Sequence, residues 1–308
     1  MSCITHAASF GAHRTANSWI WLSVMVLLWG LSWPATQMAL TEVTPLWLAA
    51  FRFGSAALCL FAFLVLRGEL GRPSRHDLPI VLSIGLLQMM TFTGLGMIAM
   101  TRTDTSHSVL IAYTTPLWTV ALSWIAFRTR PSRVQILALV TGLAGVALIG
   151  SPLETDWSAP GAFMGAGFLV VAAIAWSAVI LHVRRHRWVS SPLALAPWQM
   201  LLATIPLAIL AATFEGLPHD IDWNIRLAEM MFFIGPIATS ACFVISAEHG
   251  RRISTFAMSN FTLGVPLIGI AGSVVFLSNQ LSVVFLIGLA LVFAGMILAT
   301  AAQDRGKA

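Results

Sequence analysis

Trp29 and Trp33 stand four residues apart in a long apolar run, so a helix puts both rings on one face, with Gln37 a further turn along. A second run repeats the theme: His107, Thr114 and Trp118 share a face, with Tyr113 beside them. Gln88 opens a Thr/Gly-rich run through Gly96, Trp176 and Ser177 are adjacent, and Ser259, Asn260 and Thr262 cluster later. The chemistry on offer is recognition: uncharged hydrogen-bonding groups among aromatic rings suit an amphipathic solute with a flat or apolar side chain. The candidate substrate-binding residues are Trp29, Trp33, Gln88, His107, Tyr113, Trp118, Trp176, Ser177, Ser259 and Asn260. Trp19, Trp21 and Trp47 fit interfacial anchoring instead. His107 is the one histidine among the candidates, and its place suits the outer end of a helix as well as a substrate contact.

Other chemistries are not expected. No paired carboxylate, His/Asp cluster or nucleophile elbow stands out, which argues against an enzyme. Cys3, Cys59 and Cys242 lie far apart without ligand-type spacing, so neither a metal, a disulfide framework nor a cofactor is expected.

The elements that must position these residues follow from composition. The 308 residues are 58% hydrophobic and 9% charged, against about a quarter charged in a soluble domain. So few charges cannot cover a globule, and the fold class expected is an all-α polytopic membrane protein. Ten apolar segments approach spanning length: 18–40, 45–67, 77–100, 104–127, 132–151, 159–183, 192–214, 225–247, 253–277 and 281–302. Residues 1–17 read as a cytoplasmic tail and 303–308 as a second one. The first apolar run is too long for a signal peptide core and is expected to be retained.

The basic residues test this count. With the N-terminus inside, the inner links carry Arg14; Arg67, Arg72 and Arg75; Arg128, Arg130 and Arg133; Arg184, Arg185 and Arg187; Arg251 and Arg252; Arg305 and Lys307. The outer ends carry only Arg102 and Arg226, and the acidic Glu42, Glu154, Asp156, Glu215, Asp220 and Asp222 gather there. That alternation obeys the positive-inside rule, so the net charge of +5 marks orientation rather than a nucleic-acid partner. Arg52 alone among the basic residues falls inside a span. Two turns from Pro45, it is expected to bind helix-end carbonyls near the outer interface; a clamp for a substrate carboxylate is the competing role.

The chain also repeats. Pro116 and Pro266 stand 150 residues apart, and Thr105/Thr255, Leu117/Leu267, Ser123/Ser273, Ser132/Ser282 and Ala144–Gly145/Ala294–Gly295 keep that offset. Earlier in each half the offset is 147, pairing Trp29 with Trp176 and Pro45–Leu46 with Pro192–Leu193. Two repeats, 18–151 and 159–302, of five helices each would enter the membrane from opposite sides. A proline in helices four and nine frees a carbonyl, so Pro116 and Pro266 are expected to act as hinges.

"LLWGLSWPATQMAL", "PLWLAAFRFGSAALCL", "VLIAYTTPLWTVALSWIAF", "VTGLAGVALIG", "AAIAWSAVILHVRR" and "ALVFAGMILAT" together resemble the EamA-type branch of the drug/metabolite transporter superfamily, most of all its YddG-type exporters of aromatic and other amino acids. The resemblance runs from Ser18 to Ala302. It implies ten helices in two inverted five-helix repeats and a central cavity lined by helices one, three, four, six, eight and nine. The family commonly has Gly-Glu after helices four and nine, where this chain has Phe127–Arg128 and Ser278–Asn279.

The function expected is export of neutral amino acids, aromatic or large apolar ones included, by alternating access without coupling. The frame is a multi-pass protein of the bacterial inner membrane, acting as a monomer with both termini cytoplasmic. Its partners would be the solute and the lipid bilayer. A zwitterion suits a cavity expected to lack fixed ions, with Ser177, Gln88 and Asn260 meeting the carboxylate and carbonyls freed at the prolines meeting the ammonium group. The alternative, a proton-coupled drug/metabolite antiporter, needs a buried carboxylate, and helices one and six contain no Asp or Glu.

Overall fold

The computed structural model describes residues 3–128, 131–153, 158–218, 221, 223–250, 258 and 262–305. Seven helices among them are long and apolar enough to cross a membrane: α1 (Ser18–Ala39, the apolar part of a helix that starts at Cys3), α2 (Pro45–Leu66), α3 (Leu78–Met100), α4 (Thr105–Phe127), α6 (Ala162–Arg185), α7 (Pro192–Phe214) and α8 (Ile225–His249). Three shorter apolar stretches complete the set: α5 (Arg133–Ile149), α9 (Gly264–Leu277) and α10 (Val283–Ala299, the apolar part of a helix that runs to Arg305). No strand occurs among the described residues. Most of the expected first half of helix nine, including Ser259 and Asn260, lies outside them.

Local sequence explains the starts and breaks. Pro45 and Pro192 begin α2 and α7 where a missing N–H costs nothing. Ser132 and Gln135 form a capping box at α5, and Asp104 caps α4 by accepting from His107 N at 3.1 Å. α3 and α8 each carry a π-helical stretch, Ser83–Phe92 and Phe233–Ala241, with starts 150 residues apart. α4 is interrupted: helical turns Thr105–Ala112 and Thr115–Phe127 are joined through Tyr113 and Thr114, both near φ −80° and ψ 0°. Pro116 sits in the first turn after that interruption, so the proline begins a new helical stretch rather than bending a continuous one.

Apolar side chains face outward on most helices: Leu58, Ile125, Val140, Phe163, Ile209 and Val275 are all more than half exposed. A water-soluble surface does not carry a belt of that extent, whereas lipid covers it. Inside, α2 packs on α7, α5 on α10, α1 on α9 and α6 on α4.

Those contacts recur at the sequence offsets. A Cβ on Gly145 would meet Gly288 O at 2.6 Å, and one on Gly295 would meet Ala138 O at 2.8 Å; 145 pairs with 295 and 138 with 288 at an offset of 150. In the same way Ser177 Oγ donates to Thr115 O at 2.9 Å, while a Cβ on Gly30 would lie 2.9 Å from Val265 O. Small residues let these backbones approach closely, which is how helices associate in lipid.

Candidate functional site

A cavity of about 150 Å³ lies at the centre of the bundle. α1 contributes Trp29, Ser32, Trp33 and Thr36; α3 contributes Gln88, Met89, Phe92, Thr93, Gly96, Met97 and Met100. Tyr113 enters from the α4 interruption, Trp176 from α6, Met200 from α7, and Thr239 and Phe243 from α8. Its walls are built by the helices that the family resemblance implies, with α2 and α7 added and no described residue of α9 among them.

The addition from α2 is Arg52, with its neighbour Phe53. This corrects the expectation of an interfacial arginine and of a cavity without fixed ions. Arg52 Nε donates to Thr239 Oγ1 at 3.0 Å, and among the described residues no carboxylate pairs with the guanidinium. Thr239 Oγ1 in turn donates to Ile234 O at 2.8 Å, a five-residue reach that the π-helical turn of α8 permits. The backbone of Arg52 comes close to α8 because position 235 is glycine: a Cβ there would meet Arg52 O at 3.1 Å and clash with Ser55 Oγ. The sequence signal was present, since a lone basic residue within a span marks a functional position.

Aromatic rings wall the rest. Trp33 and Tyr113 have centroids 6.0 Å apart, Tyr113 and Trp176 also 6.0 Å, and Phe92 meets Trp176 edge-on at 4.6 Å. A second cavity of about 290 Å³ lies beyond them, lined by Thr115, Pro116, Thr119, Ile180, Arg184, Met258, Thr262, Leu263 and Val265. Trp29, Tyr113 and Trp176 line both cavities and so form the partition between them.

Of the expected site residues, Trp29, Trp33, Gln88, Tyr113 and Trp176 are brought together, and Pro116, expected as a hinge, lines the second cavity. Three are not. His107 sets Nδ1 against the Asp104 carboxylate at the start of α4 and its ring against Phe285 of α10 at 5.0 Å, so it serves the helix end and not the cavity. Burial raises the Asp104 pKa, and His107 more than offsets this, holding the carboxyl below its ordinary value. Trp118 turns its Nε1–H back to Thr114 Oγ1 at 3.1 Å and lines neither cavity. Ser177 is fully buried, and its hydroxyl is spent on Thr115 O and Ala173 O, tying α6 to α4 beside the interruption. Pro266 is buried in the first turn of α9, in the place Pro116 takes after its own break.

The sequence profile of the EamA-like transporter family, part of the drug/metabolite transporter superfamily, matches residues 17–151 and again residues 163–301. The chain belongs to that family. This transporter is 21% identical over 285 residues to the uncharacterized transporter YoaV of Bacillus subtilis (strain 168), covering 92% of this chain and 96% of that one. It is 23% identical over 286 residues to the probable amino-acid metabolite efflux pump of Salmonella typhimurium, covering 89% and 91% of the two chains. One solved structure shares its fold with a TM-score of 0.61 at 21% identity, over 93% of this chain and 99% of that one. The two cavities abut at Trp29, Tyr113 and Trp176.

Proposed function

We propose that this transporter exports neutral amino acids, aromatic and large apolar ones included, across the bacterial inner membrane by uncoupled alternating access. The observation that carries the reading is Arg52: a guanidinium with no carboxylate partner among the described residues, set in a cavity otherwise walled by aromatic, apolar and uncharged polar side chains. A permeating α-carboxylate would neutralise it with bidentate, charge-assisted bonds. Trp29, Trp33, Tyr113 and Trp176 would receive the side chain, at roughly 25 cal/mol for each Å² of apolar area taken from water. The efflux pump among its relatives agrees with an amino-acid-derived solute.

The frame proposed is ten spans in two inverted five-helix repeats, 18–151 and 159–302, with both termini cytoplasmic. The paired contacts of Gly145 and Gly295, and of Gly30 and Ser177, support it. Either cavity would then face one side of the membrane, and the aromatic partition would separate them. No carboxylate lines either cavity among the described residues, so the solute gradient alone is taken as the driving force.

Flux of radiolabelled phenylalanine in proteoliposomes tests this. The parental protein should equilibrate phenylalanine and ignore an imposed pH gradient. Arg52→Leu should weaken the apparent affinity by about 10- to 100-fold, the worth of a charge-assisted bond of roughly 1.5–3 kcal/mol. No phenylalanine flux, or a parental affinity in Arg52→Leu, overturns the substrate assignment. Uphill accumulation driven by a pH gradient makes the protein an antiporter.

A further inference from the structure

Gln199 is 1% exposed, and neither its amide nitrogen nor its amide oxygen has a hydrogen-bond partner among the described residues. Leaving both ends of a buried amide unpaired is costly, and a leucine would fill the space without that cost. The residue lies on α7, 147 residues after Arg52 on α2. Its surroundings match those of Arg52 contact by contact. A Cβ on Gly235 of α8 would meet Arg52 O at 3.1 Å and the side chain of Ser55; a Cβ on Gly85 of α3 would meet Gln199 O at 3.0 Å and the side chain of Leu202 at 3.0 Å. Gly85 precedes Gly235 by 150 residues, and Ser55 precedes Leu202 by 147. Both glycines lie in the π-helical stretches.

We infer that Gln199 is the opposite-facing counterpart of Arg52: the polar group that α7 brings into the solute path when the two halves exchange conformations. The inference rests on the alternating-access reading proposed above. In the state described here α2 holds Arg52 at the first cavity, while Gln199 is shut away. In the exchanged state Arg52 withdraws and the amide of Gln199 takes its place. The unpaired amide is a donor and acceptor held ready for that state.

The two positions are not equal in chemistry. A guanidinium offers a carboxylate charge and a fork of donors, while an amide offers neutral donors only. Charge-assisted bonds are about twice as strong as neutral ones, so a carboxylated solute is held about tenfold less tightly on the Gln199 face. In an uncoupled carrier that asymmetry cannot drive accumulation, but it sets which side saturates first.

The test uses single cysteines in the full chain, with its three native cysteines replaced by serine. Arg52→Cys and Gln199→Cys are each treated, in sealed vesicles of known orientation, with a membrane-impermeant methanethiosulfonate applied from one side. The expected result is labelling of the two positions from opposite sides. Failure of Gln199→Cys to react, or reaction from the side that reaches Arg52→Cys, overturns the inference. Gln199→Leu provides the second arm: its thermal midpoint in detergent should hold or rise, while phenylalanine flux falls at least fivefold. Parental flux in Gln199→Leu makes the residue a passive buried amide and also overturns the inference. Opposite-sided labelling without phenylalanine flux in the parental chain leaves Gln199 in its role and removes only the substrate assignment.

Discussion

Arg128 and Ser278, 150 residues apart in sequence, both take the left-handed backbone conformation, at φ 50° and φ 56°. Arg128 closes α4 and Ser278 closes α9. Their match shows that pairing Phe127–Arg128 with Ser278–Asn279 is one residue out of register; the equivalent positions are Arg128 and Ser278. An L residue in this conformation costs about 1 kcal/mol, which glycine avoids. Ser278→Gly is therefore expected to stabilise the protein by about that amount, with solute flux unchanged. A thermal melt in detergent that fails to rise goes against this account of the strain.

The α4 interruption yields a kinetic prediction. Alanine at position 116 restores an N–H that can reach the carbonyl one turn back, at Ala112, and so closes the gap at Tyr113. Pro116→Ala is expected to slow phenylalanine flux severalfold at normal expression, and Pro266→Ala to do likewise in α9. Parental rates in both variants would leave the prolines as packing features.

At the end of the bundle that holds Arg67, Asp77 ties two links together. Its fully buried carboxylate accepts from Ser190 N at 2.9 Å, Val189 N at 3.2 Å and Ser74 Oγ at 2.8 Å, and meets His186 Nε2 at 3.1 Å. Burial raises its pKa, but the bonds from His186, Ser74, Val189 and Ser190 outweigh this and hold the carboxyl well below the usual carboxylate range. With the folded pKa depressed, the stability it contributes is present above the unfolded value of roughly 3.9 and is lost as pH falls through the folded value. Asp77→Asn should cost on the order of 2–3 kcal/mol near neutral pH, and the variant should lose less further stability than the parent on acidification below pH ~4. Superimposable acid-stability curves would contradict it.

The α5–α10 seam predicts a purely structural effect. Valine at position 145 drives a Cβ into Gly288 O, at 2.6 Å, and Val292 N, at 2.8 Å, and backbone cannot step aside as a flexible side chain could. Gly145→Val should destabilise by about 1–3 kcal/mol, while single turnovers of the surviving folded protein keep their rate, because among the described residues none of α5 or α10 lines either cavity. A flux defect exceeding the loss of folded protein would place the seam in the transport cycle.

The sequence by itself determined the membrane class, the family and the doubled pattern, because those are written along one dimension. Few charges demand lipid, and a fixed register of proline, tryptophan and Ala-Gly survives without coordinates. Trp29 and Trp176 were visible as a pair, and both line the two cavities. Only the tertiary structure decided which way a side chain points. In a soluble helix the polar face declares the inside, but these helices are apolar almost all round, so periodicity assigns no azimuth. Ser177 and Trp118 have the composition of cavity residues and spend their polar atoms within the helix packing. Arg52 looked interfacial by its distance along α2, and packing against α8 at Gly235 turned it to the cavity. Gln199 drew no notice in the sequence, because an amide in an apolar helix signals nothing until its burial and its lack of partners are known. The rotation of each helix about its own axis is set by close contacts between distant segments, and a single strand of letters holds no distance between them.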